Sequence, residues 1–258
     1  MKKNKNLLLT LIVFIFFTIF FMSIYAIAIP IGPDILIRNS SSNFNNTLFQ
    51  VKNTTAIAGN ITQLEIGAIT STKSWAGFFG NITGEIFLQD ARGFVFYNWT
   101  QHEPTGEIYA SANSSVTWAN IKCFNFTANG SSEINLTIVE DWFNITSYAD
   151  DGFDITFPYT SNPSFYVGNV LIGANTCPTS YINQNNLSQT TNFPNMLLTD
   201  NSSLIFSTLI ENSNPANSTD KPGYNGINYD FQLIVAEDGR SDFLNPTTTV
   251  YYFWVELD

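Results

Sequence analysis

Basic residues are scarce in this chain: 10 Lys and Arg among 258 residues, against 21 Asp and Glu, for a formal net charge of -11. So acidic a chain lacks the electrostatic footprint of a nucleic-acid binder, and no nucleic acid is expected as a partner. Charge of either sign is thin at 12% of residues, about half the share of an average soluble domain. The only histidine is His102, in the run His102-Glu103-Pro104-Thr105-Gly106. That run has no zinc-protease spacing and reads as a solvated loop. Two cysteines, Cys123 and Cys177, make neither a disulfide-dense miniprotein nor a cysteine-rich zinc module. No nucleophile elbow, phosphate-cradling glycine loop or Ser-x-x-Lys arrangement occurs, so no catalytic residue is assigned.

What is plentiful is apolar and aromatic: 44% hydrophobic residues and 15% aromatic, including 23 Phe. That is too much for a disordered chain. The first block of it is the beginning of the sequence. Lys2, Lys3 and Lys5 precede an uncharged run from Leu7 to Ile29. As a helix this run reaches roughly 34 Å, enough to cross the hydrocarbon core of a bilayer. With the lysines held on the cytoplasmic side, everything after Pro30 is expected to be exported. Two fates stay open for residues 1–29. The run is longer than an ordinary signal peptide, which favours a retained membrane anchor, whereas Ala26-Ile27-Ala28 before Pro30 offers a cleavage site. A pilin-like helix retained in a filament is a third reading.

Fourteen Asn-x-Ser/Thr triplets follow, at Asn39, Asn45, Asn53, Asn60, Asn81, Asn98, Asn113, Asn125, Asn129, Asn135, Asn144, Asn186, Asn201 and Asn217. The composition beyond Pro30, rich in Asn, Ser and Thr, accounts for roughly six by chance. The excess predicts an N-glycosylated surface. Strand periodicity places Asn81, Thr83 and Glu85 outward with Ile82, Ile86 and Leu88 inward. The same periodicity puts Glu133, Asn135 and Thr137 outward on a second strand. Asn98 conflicts with this scheme, because its register sets Phe94 and Phe96 on the outer face.

Residues 30–56 are rich in Asn, Ser and Thr and read as a stalk. Beyond them, alternating apolar runs predict strands at 61–69, 76–88, 93–99, 106–112, 116–126, 133–140, 153–159, 165–173, 203–210, 228–236 and 247–257. No long, capped helical period appears after the leader. The fold class expected is all-β, a β-sandwich or jelly-roll-like domain over 57–258 behind an N-terminal hydrophobic helix. The polar stretch 178–200 reads as a long surface loop or a linker at which the domain splits. Cys123 and Cys177 are expected to pair in an oxidising compartment. The last strand has bulk on both faces, Tyr251, Phe253, Val255 and Leu257 against Val250, Tyr252 and Trp254. It is expected at the centre of a sheet, or else donated to a neighbouring subunit.

The stretches WAGFFGNITGEI (75–86), FYNW (96–99), GEIYAS (106–111), VTWANIKC (116–123), YDFQLIVAEDG (229–239) and YYFWVEL (251–257) resemble exported, β-rich surface glycoproteins of poorly characterised archaea. The resemblance covers most of 57–258. It implies a cell-surface glycoprotein and carries over no catalytic residue, since no activity is assigned to that family.

Two acidic glycine loops are candidate cation sites, because Ca²⁺ takes six to eight oxygen ligands. One holds Asp150, Asp151 and Asp154 around Gly152, the other Glu237, Asp238 and Asp242 around Gly239. Neither has EF-hand spacing, and no other cofactor is implied. Trp75, Trp99, Trp118, Trp142 and Trp254 are candidates for a carbohydrate platform, with Trp142 the best placed to be exposed. The function expected is that of an exported, N-glycosylated structural or adhesive protein of an envelope or filament. The alternative is an extracellular carbohydrate-binding module or a glycoside hydrolase using two carboxylates. Partners would be the membrane through residues 7–29 if uncleaved, and cell-surface proteins, glycans or copies of itself.

Overall fold

The computed structural model describes residues 29–42, 53–67, 71–101, 104–129, 133–146, 148–211, 221–238 and 248–257. The hydrophobic leader lies outside these residues, as do His102, Asn45, Asn217 and Asp242. Among the described residues no helix is long and apolar enough to cross a membrane. Strands make up 33% of the structure and helices 7%, so the chain is mainly β, as its alternating pattern implies.

The strands are β1 (Trp75–Gly80), β2 (Gly84–Gln89), β3 (Val95–Gln101), β4 (Gly106–Ser111), β5 (Lys122–Cys123), β6 (Phe165–Val167), β7 (Val170–Ile172), β8 (Thr179–Tyr181), β9 (Pro194–Thr199), β10 (Leu204–Leu209), β11 (Phe231–Ala236) and β12 (Tyr252–Leu257). Two short helices are α1 (Leu136–Trp142) and α2 (Phe153–Thr156). One six-stranded antiparallel sheet runs in the order β12-β4-β10-β9-β5, with β8 also paired to β9. Three two-stranded ribbons, β1-β11, β2-β3 and β6-β7, complete the set.

The large sheet is buried on both faces, and the period of two along each strand divides its side chains between two cores. Ile108, Ala110, Leu197, Leu204 and Phe206 point to the first core, where β11 supplies Leu233 and Val235 and the two helices supply Val139 and Phe153. Tyr109, Met196, Leu198 and Ile205 point to the second, closed by Trp118, Ile121 and the β6-β7 ribbon. Asn195 ties the layers of the first core together. Its amide donates to Gln232 O at 3.0 Å, and Ile234 N donates to its oxygen at 2.8 Å. Gly106 opens β4 at φ +132, where a Cβ would stand 2.0 Å from Glu256 O on β12, so the strand pair closes only over glycine.

Several expectations are corrected. Residues 61–67 are irregular and exposed. The run 76–88 breaks into β1 and β2, and 116–126 holds a 3-10 turn at Trp118–Asn120 and the two-residue β5. The expected strands at 133–140 and 153–159 are the helices α1 and α2. Residues 178–200 are a surface loop only at 182–193; their ends supply β8 and β9, and the sheet takes strands from both sides of them. Strand β12 has the two-faced pattern expected but lies at the end of the strand order. Ile31 bridges its outer side, donating to Val255 O at 3.1 Å and accepting from Val255 N at 2.9 Å.

Candidate functional site

The most extensive candidate is the set of glycan acceptors. Of the twelve described sequon asparagines, ten are exposed: Asn39, Asn53, Asn60, Asn81, Asn98, Asn113, Asn125, Asn129, Asn144 and Asn186. Asn135 and Asn201 are half-buried, and none is buried. The two asparagines in the core, Asn162 and Asn195, each 1% exposed, stand outside any sequon. Asn162 is followed by Pro163 and Ser164, a triplet that the intervening proline disqualifies. The same residue type is thus used in two ways. Asn162 accepts from Thr176 N and Cys177 N, both at 2.8 Å, and donates to Gly173 O at 2.8 Å. Sequon asparagines make local contacts that a sugar leaves possible, since an N-glycan replaces only one of the two amide hydrogens. Asn135 caps α1, its oxygen accepting from Ile138 N at 3.1 Å while its amide donates to Ala128 O at 3.2 Å. Asn144 donates to the Asp238 carboxylate at 3.1 Å.

Cys123 and Cys177 form a disulfide, with Cα atoms 4.7 Å apart. It joins β5 to the segment before β8, both of which pair with β9.

Described acids of these loops have partners within the protein, while Gly239 and Asp242 of the second loop lie outside the described residues. Among the described residues no group of three or more His, Cys, Asp or Glu is placed to hold a metal ion. Asp150, Asp151 and Asp154 are not gathered. The Asp151 carboxylate accepts from the Thr72 hydroxyl and its carbonyl from Trp75 Nε1 at 2.6 Å, so this loop latches the start of β1. Asp154 instead faces Glu140 of α1. Both carboxylates come within 3.3 Å of the point where a Cβ on Gly152 would stand.

Burial raises the Glu140 carboxyl, and the charge of Asp154 raises it further. This acid pair escapes a reading of the sequence because its members sit on different helices. Unfolded, Glu140 ionises near 4.5; folded, it gives up its proton only at higher pH. Between those values the native state holds the extra proton, so stability falls as pH rises and the cost is then constant above the folded value. The substitution Glu140→Gln is expected to flatten that slope and to raise stability at neutral pH, as urea titrations from pH 4 to 8 will read. Asp200 has the opposite sign. Burial pushes it up, but Thr117 N, Ser202 N, Ser202 Oγ and Ser203 N outweigh this and hold it below 3.8. Its contribution is present above that value and fades as pH falls through the folded one.

Two of the shallow cavities among the described residues hold acids. One, of about 370 Å³, is lined by Ser161, Asn175, Tyr181, Thr190, Thr191 and Glu211 among others. Burial raises the Glu211 carboxyl, while Phe193 N and the charge of Lys221 pull it down. The other, of about 220 Å³, has the acceptors Asn125 and Asn201 in its wall beside Lys122 and Glu133. Each holds a single acid, and the Glu140–Asp154 pair lines neither. Of the tryptophans, Trp142 and Trp99 are exposed, at 47% and 49%, Trp118 is buried, and Trp75 and Trp254 are half-buried. The exposed two belong to separate elements, α1 and β3. Compared with known proteins, the chain matches no family model, no curated sequence and no solved structure.

Proposed function

We propose that this is an exported, N-glycosylated cell-surface protein with a structural or adhesive role, an envelope or filament component rather than an enzyme. The observation that carries the reading is the sorting of asparagine by burial. All twelve described acceptors reach solvent in whole or part, and the asparagines used as core hydrogen-bond hubs lie outside sequons. The lysine-led apolar start supplies the export signal or anchor. A disulfide persists in an oxidising compartment, which supports the same placement. Glycans would also take over the solvating task that a surface with 12% charged residues performs poorly.

We read the architecture as sandwich-like. The β1-β11 ribbon lies across one face of the large sheet, with Leu233 and Val235 facing Leu197 and Phe206. The hydrolase alternative draws no support from the two cavities described above, each of which has one carboxylate in its wall where two are needed.

Glycopeptide mapping of protein from its native membrane or medium tests the reading. Sugars are expected on the exposed acceptors, Asn39, Asn53, Asn60, Asn81 and Asn113 among them, and on neither Asn162 nor Asn195. Bare asparagines throughout would refute it.

A further inference from the structure

We infer that the exposed ring of Phe87 is a docking platform for the first sugar of a glycan on Asn98, so that this face of the β2-β3 ribbon is covered by carbohydrate instead of protein. The inference rests on the glycoprotein reading above. It starts from a surface that protein leaves uncovered. Phe87 and Leu88 on β2, Val95, Phe96, Tyr97 and Trp99 on β3, and Phe94 in the turn between them are 44 to 84% exposed. Phe87 shares the face of Asn98, whereas Leu88, Tyr97 and Trp99 lie on the other. A two-stranded ribbon is marginal in water by itself, and so much exposed aromatic surface calls for a cover.

The register says where the cover is attached. In the antiparallel pairing, Phe87 stands directly opposite Asn98. Opposed residues share a face, with Cβ atoms about 5 Å apart. A sugar bonded to Asn98 Nδ2 therefore starts beside the Phe87 ring and has only to lean across one strand spacing. The chemistry suits it. One face of a pyranose presents axial C–H bonds with partial positive charge, and the face of an aromatic ring is its negative side. Hydroxyls around the sugar rim stay in water.

A second exposed ring lies close in sequence to an acceptor. Phe79, 42% exposed, precedes Asn81 by two residues and packs against Tyr224 and Tyr229 with centroids 5.2 and 4.8 Å away. The placement also removes the conflict at Asn98. Aromatic residues beside that acceptor do not argue against its use, because they are what the sugar rests on.

The test is a double-mutant cycle on the full chain from a glycosylating host, with wild type, Asn98→Gln, Phe87→Ala and the double variant, read by hydrogen exchange of ribbon amides. Glycopeptide analysis first establishes occupancy at Asn98. Loss of the glycan is expected to speed exchange roughly fivefold with Phe87 present, the factor equivalent to about 1 kcal/mol. In the Phe87→Ala background it is expected to change nothing further. Upfield ring-current shifts of the first sugar's protons, seen in wild type and lost in Phe87→Ala, are the second readout. Equal acceleration in both backgrounds, without such shifts, would overturn the docking and leave glycosylation at Asn98 standing. An unoccupied Asn98 in a protein glycosylated elsewhere would overturn the docking alone, and a wholly bare chain would overturn both.

Discussion

Reduction of the Cys123–Cys177 bond is expected to lower the stability of the fold by about 4 kcal/mol, the chain-entropy value for a loop of this span. The bond closes a loop with a sequence separation of 54. Within it lie α1, α2 and the β6-β7 ribbon, elements of three to seven residues with few backbone bonds of their own. Without the cross-link, the unfolded chain regains the freedom of that loop, while the native contacts stay as they were. Cys177 is fully buried in the second core, and Asn162 accepts from its amide. The double substitution Cys123→Ala with Cys177→Ala should therefore cost at least as much as reduction. The check is a guanidinium titration of oxidised and reduced protein. A shift under about 1 kcal/mol, well short of the chain-entropy value, would mean that the loop is held by its packing alone.

The substitution Phe206→Ala is expected to cost about 3 to 5 kcal/mol, the range for emptying a buried aromatic site. Phe206 is 1% exposed in β10, the strand between β4 and β9. Its ring lies 6.3 Å from Phe153, 6.4 Å from Trp75, 6.5 Å from Phe143 and 6.0 Å from Tyr251. Those four rings come from α2, β1, the end of α1 and the approach to β12. No one of them can move into the space without giving up its own contacts, so the cavity stays open. Phe94→Ser, at a site 70% exposed, is the control and should move the unfolding free energy by less than about 0.5 kcal/mol. Because Phe153 stacks on Phe206, Phe206→Ala with Phe153→Ala should fall short of additivity.

Strands β4, β10 and β12 are legible in the sequence because their inward and outward residues belong to different cores and are apolar or aromatic in alternation. Strand β9 is not. Pro194-Asn195-Met196-Leu197-Leu198-Thr199 follows a polar run and opens on two turn formers, yet all six residues are buried. What makes it a strand is its pairing with β10, β5 and β8, a tertiary fact. Helix α1 fails for another reason. Leu136-Thr137-Ile138-Val139 is rich in β-branched residues and alternates convincingly, but the buried set is Val139, Glu140 and Phe143, a helical period begun by the Asn135 cap.

The position of β12 at the end of the sheet order is hidden from the sequence because residue 31, distant along the chain, covers its outer edge. Sequons are legible because each is three consecutive residues. Their neighbours across strands, Phe87 beside Asn98, are not, and neither is the Glu140–Asp154 pair, since both depend on register and packing. The acidic loop around Gly152 looks like a cation site because three acids within five residues resemble a ligand set. Asp151 is spent on Thr72, and Asp154 faces Glu140.

The most direct measurement of the central claim, export into an oxidising, glycosylating compartment, is the intact mass of the native protein before and after enzymatic sugar removal and reduction. The account predicts a mass well above that of the polypeptide, a stepwise fall as glycans are removed, and a gain of two hydrogens when the Cys123–Cys177 bond opens. A native chain at its bare polypeptide mass, with both thiols already free, would contradict it.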